Sequence, residues 1–252
     1  MKTIVPGRED QFLQEAVEAF SSAQKVVALT GAGISVPSGI PDFRSPGGLW
    51  TLFSPDEYGT IEVFRNDPEK AWQLYRELGK GLQDKKPNRA HQVLAEFEAK
   101  QMLRGVVTQN IDNLHQSAGS NKVYEIHGDH QHLQCIRCEY LIEAEEDHYN
   151  TDTIPLCADC NAPLKPNVVL FGEAVRRLDD IHDFIAGCDL LMVIGTSAQV
   201  YPAAALPTIV KQHGGKVYEF NMVEALTHGI SDFFFRGDLS STLPAFREAI
   251  FT

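Results

Sequence analysis

Two pairs of cysteines carry the clearest chemistry. Two residues separate Cys135 from Cys138, and two separate Cys157 from Cys160, with eighteen residues between the pairs. Each pair can form a tight knuckle, and two knuckles complete a tetrahedron of thiolates around zinc. Four thiolates leave no open position for water, so the expected role is structural, holding together a module too small for its own core. Redox-active pairs are the alternative. Cys188 stands apart beside an apolar run and reads as an inert packed thiol.

The other candidates sit where apolar runs end. Gly31, Ala32, Gly33, Ile34 and Ser35 offer backbone N–H groups and a helix N-terminus to a phosphate, although Val36 takes the third glycine position of the dinucleotide fingerprint. A tight strand-to-helix turn explains the same glycines. In the following loop Asp42, Phe43 and Arg44 combine an acid, a ring that could cover a flat ligand and a planar cation suited to phosphate. A salt-bridged surface loop is the plainer reading. Gln109, Asn110 and Asp112, around Ile111, put three polar side chains at a strand tip, where ribose hydroxyls and an amide could be bound. Helix capping accounts for at least one of them. His127 follows the short apolar run 123–126, and composition alone does not single it out among nine histidines.

Positioning these residues takes a scaffold. The runs 25–30, 105–108, 190–194 and 216–220 are apolar, and they end in Gly31, Gln109, the trio Gly195, Thr196, Ser197, and Asn221. Continuous apolar strands separated by helical stretches imply a parallel sheet buried on both faces, with its ligand at the carboxyl ends. Phe12, Ala16, Ala19 and Phe20 give the first helix its apolar face. Residues 45–90, with a helical patch from Trp72 to Leu82, read as a lid or small helical lobe. Residues 134–166 show no long helical or strand period and read as an inserted small module.

The chain has 252 residues, 43% hydrophobic, 22% charged and 9% aromatic, which excludes coiled coil, collagen and wholesale disorder. Its net charge of −12 repels phosphate backbones and anionic membranes, so nucleic acid and membrane are not expected partners, whereas cationic segments would be attracted. No apolar run reaches the roughly 18 residues of a membrane span. Met1 to Ser22 has no signal-peptide pattern, and the expected location is the cytoplasm.

Taken together, Gly31 to Ser35, Gly39 to Arg44, Thr108 to Asp112, His127 with Gly128, the four cysteines, Phe171 to Glu173, Gly195 to Ser197, and Asn221 resemble the sirtuins. The resemblance runs through most of the chain. It implies a Rossmann-like NAD-binding domain from residues 1–44, 91–133 and 167–252, a cofactor loop and helical lobe at 45–90, and a zinc module at 134–166. It implies an NAD-dependent protein lysine deacylase, with NAD as co-substrate, one structural zinc and acyl-lysine peptides or proteins as partners. Nicotinamide leaves, the acyl oxygen captures the ribose carbon, and an alkylimidate results.

On this resemblance His127 is the base that takes a proton from a ribose hydroxyl. Asn110 positions ribose and the reacting water, Asp112 holds the nicotinamide carboxamide, and Ile34 lines the same pocket. Phe43 shields the intermediate, Ala32, Asp42 and Arg44 belong to the cofactor loop, and Gln109 and Ile111 lie on the ribose side. Gly31, Gly33, Gly195, Thr196, Ser197 and Asn221 bind phosphate and adenosine ribose, with Asp238 near the adenine. Val169, Leu170, Phe171, Gly172 and Glu173 are the substrate segment, read by strand addition. Read without the resemblance, 168–171 is a buried strand.

Sirtuins that prefer acidic acyl groups carry a Tyr and, three residues on, an Arg. Here the matching positions are Tyr75 and Leu78, so neutral acyl groups are expected, acetyl first. Leu170 replaces the family's usual aromatic, and Ala174 and Val175 replace a common Leu-Pro, changes that bear on acyl fit and peptide register. The rival expectations are mono-ADP-ribosyl transfer, NAD hydrolysis and a non-catalytic NAD-sensing module.

Overall fold

The computed structural model describes residues 1–5, 11–43, 47–227 and 229–252. In chain order the elements begin with β1 (Lys2–Ile4), α1 (Gln11–Ser22) and β2 (Val26–Thr30). The lobe follows as α2 (Leu49–Leu52), α3 (Pro55–Tyr58), α4 (Ile61–Asn66) and α5 (Pro68–Leu82), then α6 (Arg89–Ala99), β3 (Val106–Thr108), α7 (Leu114–Ser117) and β4 (Val123–Glu125). The cysteine-bearing segment holds β5 (Gly128–Cys135), β6 (Leu141–Glu143), α8 (Glu146–Asn150) and β7 (Leu164–Val168). The chain closes with α9 (Leu178–Ile185), β8 (Leu190–Ile194), α10 (Leu206–Gln212), β9 (Lys216–Asn221), β10 (Phe233–Arg236) and α11 (Leu239–Phe251).

Seven strands form one parallel sheet in the order β1-β10-β9-β8-β2-β3-β4. Every residue of β2 and β8 is buried, as their unbroken apolar sequences require of central strands covered on both faces. One face packs on α1, α6 and α11 through Phe20, Phe97 and Phe246; the other packs on α9 and α10 through Ile181, Phe184 and Val210. From β2 the chain moves outward to β3 and β4, then returns to the other side of β2 as β8, β9 and β10. The order therefore reverses between β2 and β8, the place where an open α/β sheet leaves a crevice at its carboxyl edge.

The lobe and the cysteine segment share a third core. Helix α5 starts at Asp67, whose side chain accepts the Lys70 N–H, and buries Ala71, Trp72, Leu74, Tyr75, Gly79 and Leu82 at helical spacing. These pack with Leu133, Tyr149, Leu164 and Leu170, and the Trp72 Nε1–H donates to the Leu164 carbonyl at 2.9 Å. Gly79 is the contact point: a Cβ there would meet the Tyr149 ring at 2.5 Å.

Two local expectations change. The segment expected to lack a strand period carries a three-stranded antiparallel sheet, β6-β5-β7, spanning 128–168. In β5 the alternation is hidden because Asp129, His130, Gln131, His132 and Gln134 are polar, and only Gly128, Leu133 and Cys135 are buried. The expected buried strand over 168–171 ends at Val168: beyond it the chain leaves the β5 ladder, and Phe171, 45% exposed, bridges to Thr60 of the lobe instead. Among the described residues no helix is long and apolar enough to cross a membrane.

Candidate active site

Where β2 and β8 end side by side, the two strand tips touch through glycines. The Gly31 N–H donates to the Ile194 carbonyl at 3.0 Å and the Gly33 N–H to the Gly195 carbonyl at 2.8 Å. A Cβ on Gly33 would lie 2.7 Å from Gly195 Cα, and one on Gly31 2.8 Å from the Gly195 oxygen. The glycines thus serve close approach of two backbones. Their N–H groups, expected to face a phosphate, are already engaged, and the turn continues as a 3₁₀ helix, Ala32–Ser38, rather than a long α-helix. Gly33→Ala is expected to cost about 1–3 kcal/mol by overpacking. Urea unfolding checks this, and an unchanged midpoint would mean that the tips part freely.

The tips of β2 and β3 are tied by side chains. Thr30 Oγ1 donates to Thr108 Oγ1 at 2.8 Å, and that oxygen accepts the Asn110 N–H at 3.0 Å. Having spent its proton, Thr30 accepts at 2.9 Å from His115 Nε2, and burial holds this histidine well below its ordinary pKa, in the neutral form. Gln109 reaches across to donate to Thr196 Oγ1 at 2.9 Å, and Asn221 donates to the Thr196 carbonyl at 2.9 Å. Four strand ends are therefore linked into one rim.

The rim encloses a cavity of about 880 Å³. Its wall contains Gly31, Ala32, Gly33, Asp42, Phe43, Gln109, Asn110, Ile111, His127, Gly195, Thr196, Ser197, Asn221 and Asp238 from the expected cofactor set. From the expected substrate set it contains Tyr75, Val169, Leu170, Phe171, Gly172 and Glu173, with Leu78 beside them. Asp238 also caps α11 by accepting the Ser240 N–H at 2.7 Å. Arg44 lies outside the described residues. Among the described lining residues the charges are carboxylates, Asp42, Glu173, Glu224 and Asp238.

Two expected residues are not in that wall. Ile34 is fully buried in the core against the main sheet, because the 3₁₀ turn rotates it inward. Asp112 is held away by its own bonds: Oδ2 accepts the Ser35 hydroxyl at 2.6 Å and Oδ1 the Leu114 N–H at 3.0 Å. Ser35 in turn accepts Asn110 Nδ2 at 3.1 Å, so it bridges the two residues. Other lining residues had no motif to mark them. Trp50 stacks on Phe43 at 5.3 Å and contacts Phe171 at 6.1 Å. Met222 and Val223 line the far rim and are 60% and 67% exposed. For Met222 and Val223 the sequence signal was a pair of apolar residues directly after the Asn221 strand tip; Trp50 had none.

His127 holds the best-defined proton site. Its Nδ1 lies 3.0 Å from the Gln109 carbonyl, which can only accept, so Nδ1 carries the hydrogen and Nε2 keeps its lone pair. Burial lowers its pKa from 6.5, with the Gln109 carbonyl partly opposing. The imidazole is thus a neutral base with a fixed tautomer in the cavity wall.

Away from the cavity, all five cysteines are free thiols. The Sγ atoms of Cys135, Cys138, Cys157 and Cys160 lie within 4.8 Å of one another, and the contacts Cys135 to Cys160 and Cys138 to Cys157 are both 3.5 Å. Tetrahedral zinc with 2.3 Å bonds has edges of about 3.8 Å, so the four thiols fit one zinc ion. Cys188 is buried, donates to the Leu190 carbonyl at 3.1 Å, and is pushed up to about 11 by burial, as an inert thiol should be.

The Sir2 family model matches residues 31–202. An NAD-dependent protein deacylase of Thermococcus sibiricus is 42% identical over 232 residues, 89% of this chain and 91% of that protein. An NAD-dependent protein deacetylase of Sulfurisphaera tokodaii is 42% identical over 220 residues, 86% of this chain and 88% of that protein. A solved Sir2 homologue mutant in complex with ADP-ribose matches with a TM-score of 0.89 at 35% identity, covering 96% of each chain. A Sir2 structure with p53 peptide and NAD+ matches with a TM-score of 0.85 at 37% identity, covering 94% of this chain and 97% of that one. With its parallel sheet, glycine-joined strand tips and four-cysteine cluster, this chain belongs to the Sir2 family, the sirtuins.

Proposed function

We propose that the protein is an NAD-dependent protein lysine deacylase that removes acetyl groups in preference to acidic ones. The observation that carries this reading is His127, a neutral base of fixed tautomer in the same cavity wall as Asn110 and the segment 169–173. NAD as co-substrate supplies a ribose whose bond to nicotinamide breaks readily, because the leaving group departs neutral. His127 Nε2 takes the proton of a ribose hydroxyl, leaving that oxygen free to attack the acyl carbon. Asn110, fixed by Ser35 and the Gly31 carbonyl, orients the ribose and water. Asp112 acts through Ser35 and Asn110 unless its bonds open to admit the carboxamide. Gln109, Thr196, Ser197 and Asn221 bind the diphosphate and adenosine end, with Arg44 supplying positive charge and Phe43, backed by Trp50, covering the reacting carbon.

The acyl-lysine lies against 169–172, between His127 and Tyr75. Tyr75 is buried, its hydroxyl has no partner among the described residues, and Leu78 lines the same cavity. A distal carboxylate entering there would find no cation among the described residues that line the cavity, and the Lys165 ammonium behind the wall is already paired with Glu173. Leaving a buried charge unpaired costs about 3–5 kcal/mol, so an acetyl peptide is expected to turn over about 10²-fold or more faster than its succinyl twin. Paired assays measure this, and a faster succinyl peptide would overturn it. The metal thiolates favour a reducing compartment, the cytoplasm, and the charge of −12 favours lysine-bearing protein segments over nucleic acid.

The test is nicotinamide release and peptide mass with NAD and an acetyl-lysine peptide. Peptide-dependent nicotinamide release with matching loss of acetyl supports the reading. Release that ignores the peptide, or a peptide that gains the mass of ADP-ribose, would replace it by NAD hydrolysis or ADP-ribosyl transfer.

A further inference from the structure

The mechanism leaves one buried cation without a task. Lys165 is the second residue of β7 and its side chain is 0% exposed, whereas β7 is otherwise Leu164, Pro166, Asn167 and Val168. Its ammonium donates to the Val168 carbonyl at 2.6 Å and lies 3.4 Å from the Pro166 carbonyl and 3.1 Å from Glu173 Oε2. Glu173 Oε2 also accepts the Leu170 N–H at 2.8 Å. One ammonium thus holds both ends of the stretch 168–173, the carbonyl where the chain leaves β7 and the carboxylate where it turns back.

That stretch is fastened on two other sides. The Val169 N–H donates to the His127 carbonyl at 2.8 Å, the Phe171 N–H donates to the Gly59 carbonyl at 3.0 Å, and the Phe171 carbonyl accepts the Ile61 N–H at 3.0 Å. It therefore spans from the backbone of the base to the helical lobe, with the Lys165 pair beneath it. An apolar residue would fill the same volume without the cost of burying a charge, so the pair is better explained by the geometry it imposes than by stability.

Resting on the deacylase reading, we infer that Lys165 is a positioning residue: its ion pair with Glu173 sets the segment 169–172 against His127 and thereby governs binding of the acyl-lysine peptide. It touches neither ribose nor acyl group and acts through the segment. The ionisable groups facing it are Glu173 and Arg176 beyond β7 and, through Glu173, Tyr75 on α5. Burial pushes its pKa down to about 8, partly countered by Glu173. Loss of the proton above that pH removes the ion pair and loosens the segment.

The experiment measures KM and kcat for an acetyl-lysine peptide free of other groups titrating between pH 7 and 9.5, with ADP-ribose affinity measured alongside. For Lys165→Met the peptide KM is expected to rise tenfold or more, with ADP-ribose affinity within twofold of wild type. Lys165→Arg should return KM to within about threefold. In wild type the peptide KM should climb above about pH 8, and in Lys165→Arg it should stay flat to pH 9.5 because the guanidinium does not titrate there. A wild-type KM in Lys165→Met, or a wild-type KM unchanged across that range, would overturn the inference. If Lys165→Met does not fold, the wild-type and Lys165→Arg pH profiles still decide. Failure of the deacylase reading would look different, as wild type itself would show no peptide-dependent nicotinamide release.

Discussion

His127→Ala is expected to slow the appearance of deacylated peptide by about 10²–10⁴-fold, the usual contribution of a positioned general base. The argument rests on the imidazole's placement. Nδ1 is committed to the Gln109 carbonyl at 3.0 Å, so Nε2 alone can take a proton, and the ring stands in the cavity wall shared with Asn110. The Gln109 backbone is itself fixed, since its N–H donates to the Thr30 carbonyl at 3.0 Å. Truncation removes the base and leaves the strand tips as they are. Melting temperature and ADP-ribose binding should therefore stay close to wild type while product formation collapses.

The same geometry sets the pH dependence. The neutral imidazole is the working form, and burial lowers its pKa from 6.5, so activity falls only as pH drops below that value through the lowered one. At neutral pH the base is already unprotonated. An acid limb centred above 6.5 in kcat/KM would remove His127 from this role, as would a His127→Ala variant of near-normal turnover.

Removing zinc is expected to have the second large effect, on folding. Structural zinc sites contribute apparent free energies of about 10–16 kcal/mol, comparable to the about 5–15 kcal/mol that hold a whole domain together. Here Cys135 ends β5, Cys138 lies in the turn before β6, Cys157 and Cys160 lie in the loop before β7, and the core those strands cover is shared with Trp72, Tyr75 and Phe64 of the lobe. Cys157→Ser, at a buried ligand position, should cut bound zinc from one per chain to well below half and abolish peptide turnover. The main sheet has its own two cores, so a reduced, separate thermal transition should survive. Metal quantitation and calorimetry with and without chelator check this. A fully chelated protein with unchanged melting and activity would remove the structural role from the zinc site.

The scaffold could be read from sequence because its signals are local. Val26 to Leu29 and Leu190 to Ile194 are unbroken apolar runs, and such runs identify buried parallel strands without knowledge of their partners. The cysteine spacing is likewise a property of two short knuckles. Strand β5 was missed for the converse reason, since the consecutive residues Asp129 to His132 are polar on both faces of the strand and carry no apolar period. The common core of lobe and cysteine segment was also invisible, because Gly79 and Tyr149, or Trp72 and Leu164, meet only when distant segments fold together.

At the site the division follows the same principle. The amino-acid sequence by itself determined which residues end the strands, which thiols could bind metal, and which family pattern the motifs form. The tertiary structure decided what each of those residues is free to do. Gly31 and Gly33 spend their N–H groups on Ile194 and Gly195, Ile34 turns into the core, Asp112 is taken by Ser35, and Lys165 pairs with Glu173 beneath the substrate segment. The physical reason is that residue type and spacing set a group's chemistry, whereas its availability depends on whether a donor, acceptor or charge from elsewhere in the fold has already claimed it.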